Sequence, residues 1–231
     1  MSTREEAASR APRAARRAKT EQTRARILDA ALALFNERGT AAVSTNHVAA
    51  AAGLSPGNLY YHFSGKPEII RALHERYAAA HEDLWNTGGQ DASLARLREN
   101  LTHAMGLAWE YRFLERELIA LLRADVRLAA SHRAAYQRRL AQWVAFGEQL
   151  AASGALAPPP PPATITDLAV AIWLIGTGWL PFLEITGNPH DPAQVARGAD
   201  LVSVVLGPYL AGAAGQRPLP PAGQNDKKEE S

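Results

Sequence analysis

A chain of 231 residues, 47% hydrophobic and 21% charged, can bury a sizeable core and has the balance of an ordinary globular protein. It contains no cysteine, which excludes disulfides, zinc–thiolate sites and cysteine nucleophiles, and it needs no oxidising compartment. The net charge of +2 hides an asymmetry: residues 1–80 carry 12 Lys/Arg against 7 Asp/Glu, the remainder 13 against 16. Such a distribution points to a polyanionic partner for the first section, a basic tail without a partner being the alternative.

Alanine, leucine and arginine dominate while strand formers are scarce, so an all-α fold is expected. Residues 1–19 are polar, low in complexity and without an apolar face, which predicts a disordered basic arm. Its Arg10, Arg13, Arg16, Arg17 and Lys19 could track phosphates, reach a minor groove, or add only salt-sensitive attraction. The 7–15-residue apolar stretch typical of a secretory signal does not follow it, and a cytoplasmic protein is expected. Helical periodicity starts after Thr20: Ile27, Ala30, Ala31, Leu34 and Phe35 share one face, and Gly39 ends the helix.

The stretch Ser44–Phe63, STNHVAAAAGLSPGNLYYHF, repeats one local grammar twice. Ser44 is an N-cap, Val43 can staple onto Val48, and a short alanine run ends at Gly53. Then Ser55 caps, Pro56 takes the first helical position, and Leu54 can staple onto Leu59. Two short helices joined by a tight glycine turn form the pattern of a helix-turn-helix. The second helix of such a pair enters the major groove N-terminus first. Pro56, Gly57 and Asn58 would lead, Gly57 letting the backbone approach and Asn58 offering both donor and acceptor to base edges. Tyr60, Tyr61 and His62 lie just behind, suited to phosphates or thymine methyls. Thr45 and Asn46 open the first helix, where free N–H groups attract a phosphate, and Lys66 could clamp the backbone on the other side. A purely structural hairpin is the alternative; two adjacent tyrosines beside a glycine at a helix start argue against it.

These residues carry a resemblance. Arg24–Tyr77 is similar to the TetR-type DNA-binding domain at Ile27, Ala30, Ala31, Phe35, Gly39, Val48, Ala49, Ala52-Gly53-Leu54-Ser55, Gly57, Leu59-Tyr60, His62-Phe63, Lys66 and Ile70. The resemblance implies an all-helical dimer in which three short helices bind DNA and a larger C-terminal domain binds an effector and dimerises. By position it carries DNA contact to Thr45, Asn46, Gly57, Asn58, Tyr60, Tyr61, His62 and Lys66. The chain departs from the family at Pro67, tolerable in a first helical turn, at Ser44, where threonine is common, and at His47, where a charged residue is more usual.

Further along, a helix is expected from Lys66 to Trp85, closed by Gly88-Gly89. Asp91 looks like the N-cap of a helix burying Leu94, Leu97, Leu101, Met105 and Ala108. Phe113, Leu114, Leu118, Leu121 and Leu122 mark the next, and Asp125 caps a third, with Leu128, Ala135, Leu140, Trp143, Val144 and Leu150 inward. Gly154 and Pro158–Pro162 interrupt it as a stiff connector. The segment 164–186 is apolar nearly all round. Its uncharged run Leu168–Leu183 contains Gly176, Gly178 and Pro181 and falls short of a membrane span, so a buried helix is expected. With the helix at 192–210 (Val195, Ala199, Val202, Val205, Leu206) it suits a four-helix homodimer interface, Ala171, Gly176 and Gly178 allowing close approach.

Trp109, Phe113, Trp143, Phe146 and Trp173, with Trp179 and Phe182, could line an apolar ligand pocket, plain core being the alternative. His103 and His132 read as solvated or core side chains, and Glu115 and Glu117 as a solvated helix face. Nothing resembles a nucleophile elbow, an HExxH metal motif or a phosphate loop, so no enzyme, metal or cofactor is expected. The expected organisation is a disordered arm (1–19), a helix-turn-helix domain (20–80), a helical effector-binding and dimerisation domain (81–211) and a disordered tail (212–231). The function expected is a one-component regulator, a repressor by the resemblance. It would bind palindromic operator DNA as a homodimer and be released by a small apolar or amphipathic effector. The alternative is an architectural or activating DNA binder of the same fold without an effector.

Overall fold

The computed structural model describes residues 2–86 and 92–211, and helices account for nearly all of their regular structure. The chain divides into two compact units, Met1–His74 and Glu75–Ser231. The division falls between His74 and Glu75, inside a helix, rather than after residue 80. The tail at 212–231, Gly88-Gly89 and Asp91 lie outside the described residues.

The first unit contains α1 (Ser2–Ala42), α2 (Thr45–Ala51), α3 (Pro56–His62) and the start of α4 (Lys66–Trp85). Helix α1 already begins at Ser2, so 2–19 is helical where the sequence suggests disorder. That stretch is rich in alanine and arginine, which favour helix whether or not a face is buried. Gly39 breaks α1 with φ 75° and ψ 159°, an angle open to glycine and strained for other residues. Ile27, Phe35, Leu59, Ile69 and Leu73 are fully buried, with Val43, Val48 and Phe63 almost so, each contributing roughly 1.5–3 kcal/mol of burial.

The second unit contains α5 (Leu94–Glu110), α6 (Arg112–Ala124), α7 (Val126–Ala152), α8 (Ile165–Thr186), α9 (Pro192–Leu206) and a 3-10 turn, Gly207–Tyr209. The cap of α5 is Ser93, whose hydroxyl accepts from the Arg96 amide. Asp125 caps α7 as expected, accepting from the amides of Arg127 and Leu128. Thr164 and Asp167 close a reciprocal capping box on α8. Helix α9 stops at Leu206, short of the expected Leu210, because Pro208 has no amide to continue the ladder. An isolated bridge between Leu156 and Leu210 ties the end of α9 to the segment after α7.

Helix α8 packs on α5, α6, α7 and α9. It is nevertheless only partly covered. It is long and apolar enough, by length and composition, to cross a membrane, and Leu174, Phe182 and Ile185 are 64%, 51% and 85% exposed. Within a single chain the expected burial holds for the face that carries Leu168, Ile172, Trp179, Leu180 and Leu183. Within one chain, close approach is made at Gly198 and Gly147. A Cβ on Gly198 would lie 2.6 Å from Trp179 Cδ1 and 2.9 Å from Met105 Sδ, and one on Gly147 would lie 2.8 Å from Ile165 Cγ2. Gly178 has open space, and a Cβ on Gly176 would meet only Met105 Cε at 3.9 Å.

Candidate nucleic-acid interface and ligand cavity

In the first unit, α2 and α3 are set by their ends. The Ser44 hydroxyl accepts from the His47 amide at 3.2 Å, and His47 Nδ1 accepts from the Ser44 amide at 3.3 Å. His47, the departure from the family pattern, therefore completes a capping box. Helix α2 ends on Gly53 (φ 65°), with the Leu54 amide on Ala49 O at 2.9 Å and the Gly53 amide on Ala50 O at 3.1 Å. This paired closure needs a left-handed residue and turns the chain sharply into α3. Ser55 then accepts from the Asn58 amide at 3.3 Å.

Two arginines of α1 hold the far ends of these helices. Arg26 donates to Ala52 O at 2.6 Å. Arg24 donates to His62 O and lies 4.0 Å over the Phe63 ring. Both place a cation where the helix leaves unpaired carbonyls and a partial negative charge. From the sequence, the basic content of this section reads as attraction to a polyanion or as a tail without a partner; part of it is structural.

Of the residues read as DNA-facing, Asn46, Pro56, Gly57 and Asn58 are exposed, and Tyr60 and Tyr61 are 51% and 72% exposed. Thr45 and His62 are half-buried. The Thr45 and Tyr60 hydroxyls meet at 3.0 Å, joining the start of α2 to α3. Lys66, expected to clamp the DNA backbone, has partners within the protein: its ammonium donates to Thr40 O at 2.6 Å and Val43 O at 3.0 Å. It braces the chain between α1 and α2. Glu68 takes the amide and the hydroxyl of Ser64, both at 2.7 Å, which holds its carboxyl below the usual range.

The second unit holds a cavity of about 490 Å³ including its mouth, walled by α4, α5, α6, α7, α8 and α9. Leu101, Met105, Ile172, Trp143 and Trp173 make it apolar, and five polar side chains interrupt that lining: Tyr77, His81, Glu115, Arg139 and Thr177. Tyr77 donates to Glu115 Oε1 at 2.6 Å. Burial pushes the Glu115 carboxyl up, against the Tyr77 bond and the Arg139 charge; it is not the solvated residue expected. Arg139 is 5% exposed and lies 4.1 Å over the Trp173 ring. Burial, helped by that charge, pushes His81 down to about 3, so its imidazole is neutral.

Trp143 and Trp173 are on this wall. Phe146 lines a second, almost wholly apolar cavity that shares Leu101, Trp143 and Ile172 with the first. Trp109 and Phe113 are on neither wall. Phe113 is fully buried, and Trp109 packs under Arg112 at 4.4 Å and against His190. Tyr77, His81, Glu115 and Arg139 escape a reading of the sequence because single polar residues on amphipathic helices look solvated. Among the described residues, no group of three or more His, Asp or Glu could hold a metal ion.

An exposed helix-turn-helix on one helical unit and a part-polar cavity inside another define the class: a helix-turn-helix regulator. The family described as "Bacterial regulatory proteins, tetR family" matches residues 27–73, and its "Bacterial transcriptional repressor" counterpart matches 73–217. SrpR, a transcriptional regulator of Pseudomonas putida, is 41% identical over 56 residues, 24% of this chain and 26% of SrpR. TtgR, a second transcriptional regulator of P. putida, is 38% identical over 71 residues, 30% of this chain and 34% of TtgR. The matches thus span a quarter to a third of these relatives' length. A TetR-family regulator structure from Marinobacter aquaeolei superposes with TM-score 0.74 at 32% identity, covering 82% of this chain and 91% of that one. SmeT, the repressor of the Stenotrophomonas maltophilia multidrug efflux pump SmeDEF, shares the fold at TM-score 0.61 and 24% identity, covering 87% and 99%. The chain belongs to the TetR family of bacterial transcriptional regulators, and membership makes it a regulator rather than an enzyme.

Proposed function

We propose that the protein is a cytoplasmic repressor that binds palindromic operator DNA as a homodimer and releases it when a small amphipathic molecule enters the cavity of the second unit. The observation that carries this reading is that Tyr77 and His81, two of the cavity's polar walls, belong to α4, the helix that opens with Lys66 in the DNA-reading unit. A ligand that displaces them displaces one continuous helix, so occupancy and operator affinity are coupled, and reciprocally so. Asn58, Tyr60 and Tyr61 on α3 contact bases and phosphates, with Thr45, Asn46, Pro56, Gly57 and His62 around them and Lys66 fixing the loop beneath. In a structural neighbour, SmeT, a complex with triclosan is known, which supports a small-molecule effector.

The exposed apolar side chains of α8 and α9, Leu174, Phe182, Ile185 and Val204, support a dimer through 164–186 and 192–210. Two reading helices set about 34–36 Å apart reach successive major grooves, and a two-fold interface places them symmetrically. Footprinting on the DNA flanking the protein's own coding region tests the reading. It requires two protected half-sites related by a palindrome. Uniform, sequence-indifferent protection would instead indicate an architectural DNA binder.

A further inference from the structure

The polar groups of the cavity do not balance. Arg139 Nε, Trp143 Nε1 and both His81 nitrogens are buried with no hydrogen-bond partner in the protein, and Arg139 and His81 are only 5% and 6% exposed. A guanidinium, an indole and a neutral imidazole, all among the residues lining this cavity, offer three N–H donors. Glu115, the acid of this cavity, takes the Tyr77 hydroxyl on Oε1 at 2.6 Å, and none of these three donors is bonded to it. Unpaired buried donors are costly, and a cation would meet Arg139 in the same cavity. An acceptor-bearing, negatively charged group resolves the imbalance. The adjoining, almost wholly apolar cavity, which shares Leu101, Trp143 and Ile172 with the first, offers room for the rest of such a molecule.

We propose that the cavity takes an amphipathic organic anion, its acidic group held by Arg139, Trp143 and His81 and its apolar body extending into the adjoining space. This rests on the cavity being the effector site. It adds that recognition turns on one anionic oxygen group, whether carboxylate, sulfonate or phenolate.

The test compares anilinonaphthalene sulfonate with its neutral relative phenylnaphthylamine, by fluorescence, on the full-length protein. The expected result is saturable binding of the sulfonate at least about tenfold tighter than the amine, the scale of one charge-assisted hydrogen bond. Arg139→Met should abolish that preference while leaving amine binding intact, and Trp143→Phe, which keeps the ring and removes the donor, should reduce it several-fold. Equal or tighter binding of the neutral amine to the wild-type protein would overturn the proposal. So would a preference that survives Arg139→Met or, should that variant fail to fold, Trp143→Phe. Operator binding followed in the same samples separates the two readings: sulfonate bound with the expected preference but operator affinity unchanged supports this inference and refutes the effector role.

Discussion

The first turn of α4 carries two charged side chains that the protein's own backbone holds: Lys66 on the carbonyls of Thr40 and Val43, and Glu68 on the amide and hydroxyl of Ser64. Lys66→Met removes both ammonium bonds and leaves two carbonyls short of a donor. A loss of about 1–3 kcal/mol in unfolding free energy is expected, read by denaturant titration. The salt dependence of DNA binding should stay within one phosphate contact of wild type; a slope reduced by a full unit would assign Lys66 to the DNA backbone. Glu68 carries a pH signature. Its folded carboxyl lies below the unfolded value, so its contribution to stability is complete above the unfolded pKa and vanishes as acid protonates it. Glu68→Gln should therefore be less stable than wild type at neutral pH, and the two melting curves should converge on acidification below the carboxylate range.

At the level of elements, the helix-turn-helix is defined by its ends and the second unit by its close contacts. Ser44, Gly53 and Ser55 were legible because capping and left-handed turns use few residue types and act locally. Gly198 was not, since its role depends on which helix lies opposite. There α9 meets Trp179, whose indole also donates to Gln194 O at 2.9 Å. Gly198→Ala should destabilise the protein by about 1–3 kcal/mol through overpacking, and a melting temperature equal to wild type would mean the indole simply moves. The buried polar residues were hidden for the same reason. Glu115 and Arg139 occupy positions on α6 and α7 that periodicity alone cannot tell from a wet face, and only the packing of Tyr77 and Trp173 against them turns that face into a cavity wall.

For the whole molecule, the sequence pattern was enough for an all-α chain with a DNA-reading unit ahead of a larger helical one. Apolar periodicity, caps and prolines mark helices wherever they pack. What stayed open at this scale is the cover of α8: Leu174, Phe182 and Ile185 are exposed in one chain, and hydrophobicity does not say whether the cover comes from the same molecule or another. Under a two-fold interface, Ile185→Glu places a carboxylate from each copy in one desolvated patch. Sedimentation should then show a shift toward monomer with the helical content retained, and an unchanged oligomeric state would remove Ile185 from the interface.

That α3 reads a palindromic operator is tested most directly by fluorescence anisotropy. The titration uses DNA from beside the protein's own coding region, in intact and half-site-scrambled forms, with wild type, Asn58→Ala and Tyr60→Phe. Saturable binding is expected for the intact palindrome only. Asn58→Ala should weaken it by about 1–3 kcal/mol, the scale of a bidentate base contact. Tyr60→Phe, which keeps the ring but frees Thr45, should weaken it several-fold. Equal affinity for intact and scrambled DNA, unaffected by either substitution, would contradict an operator-reading α3.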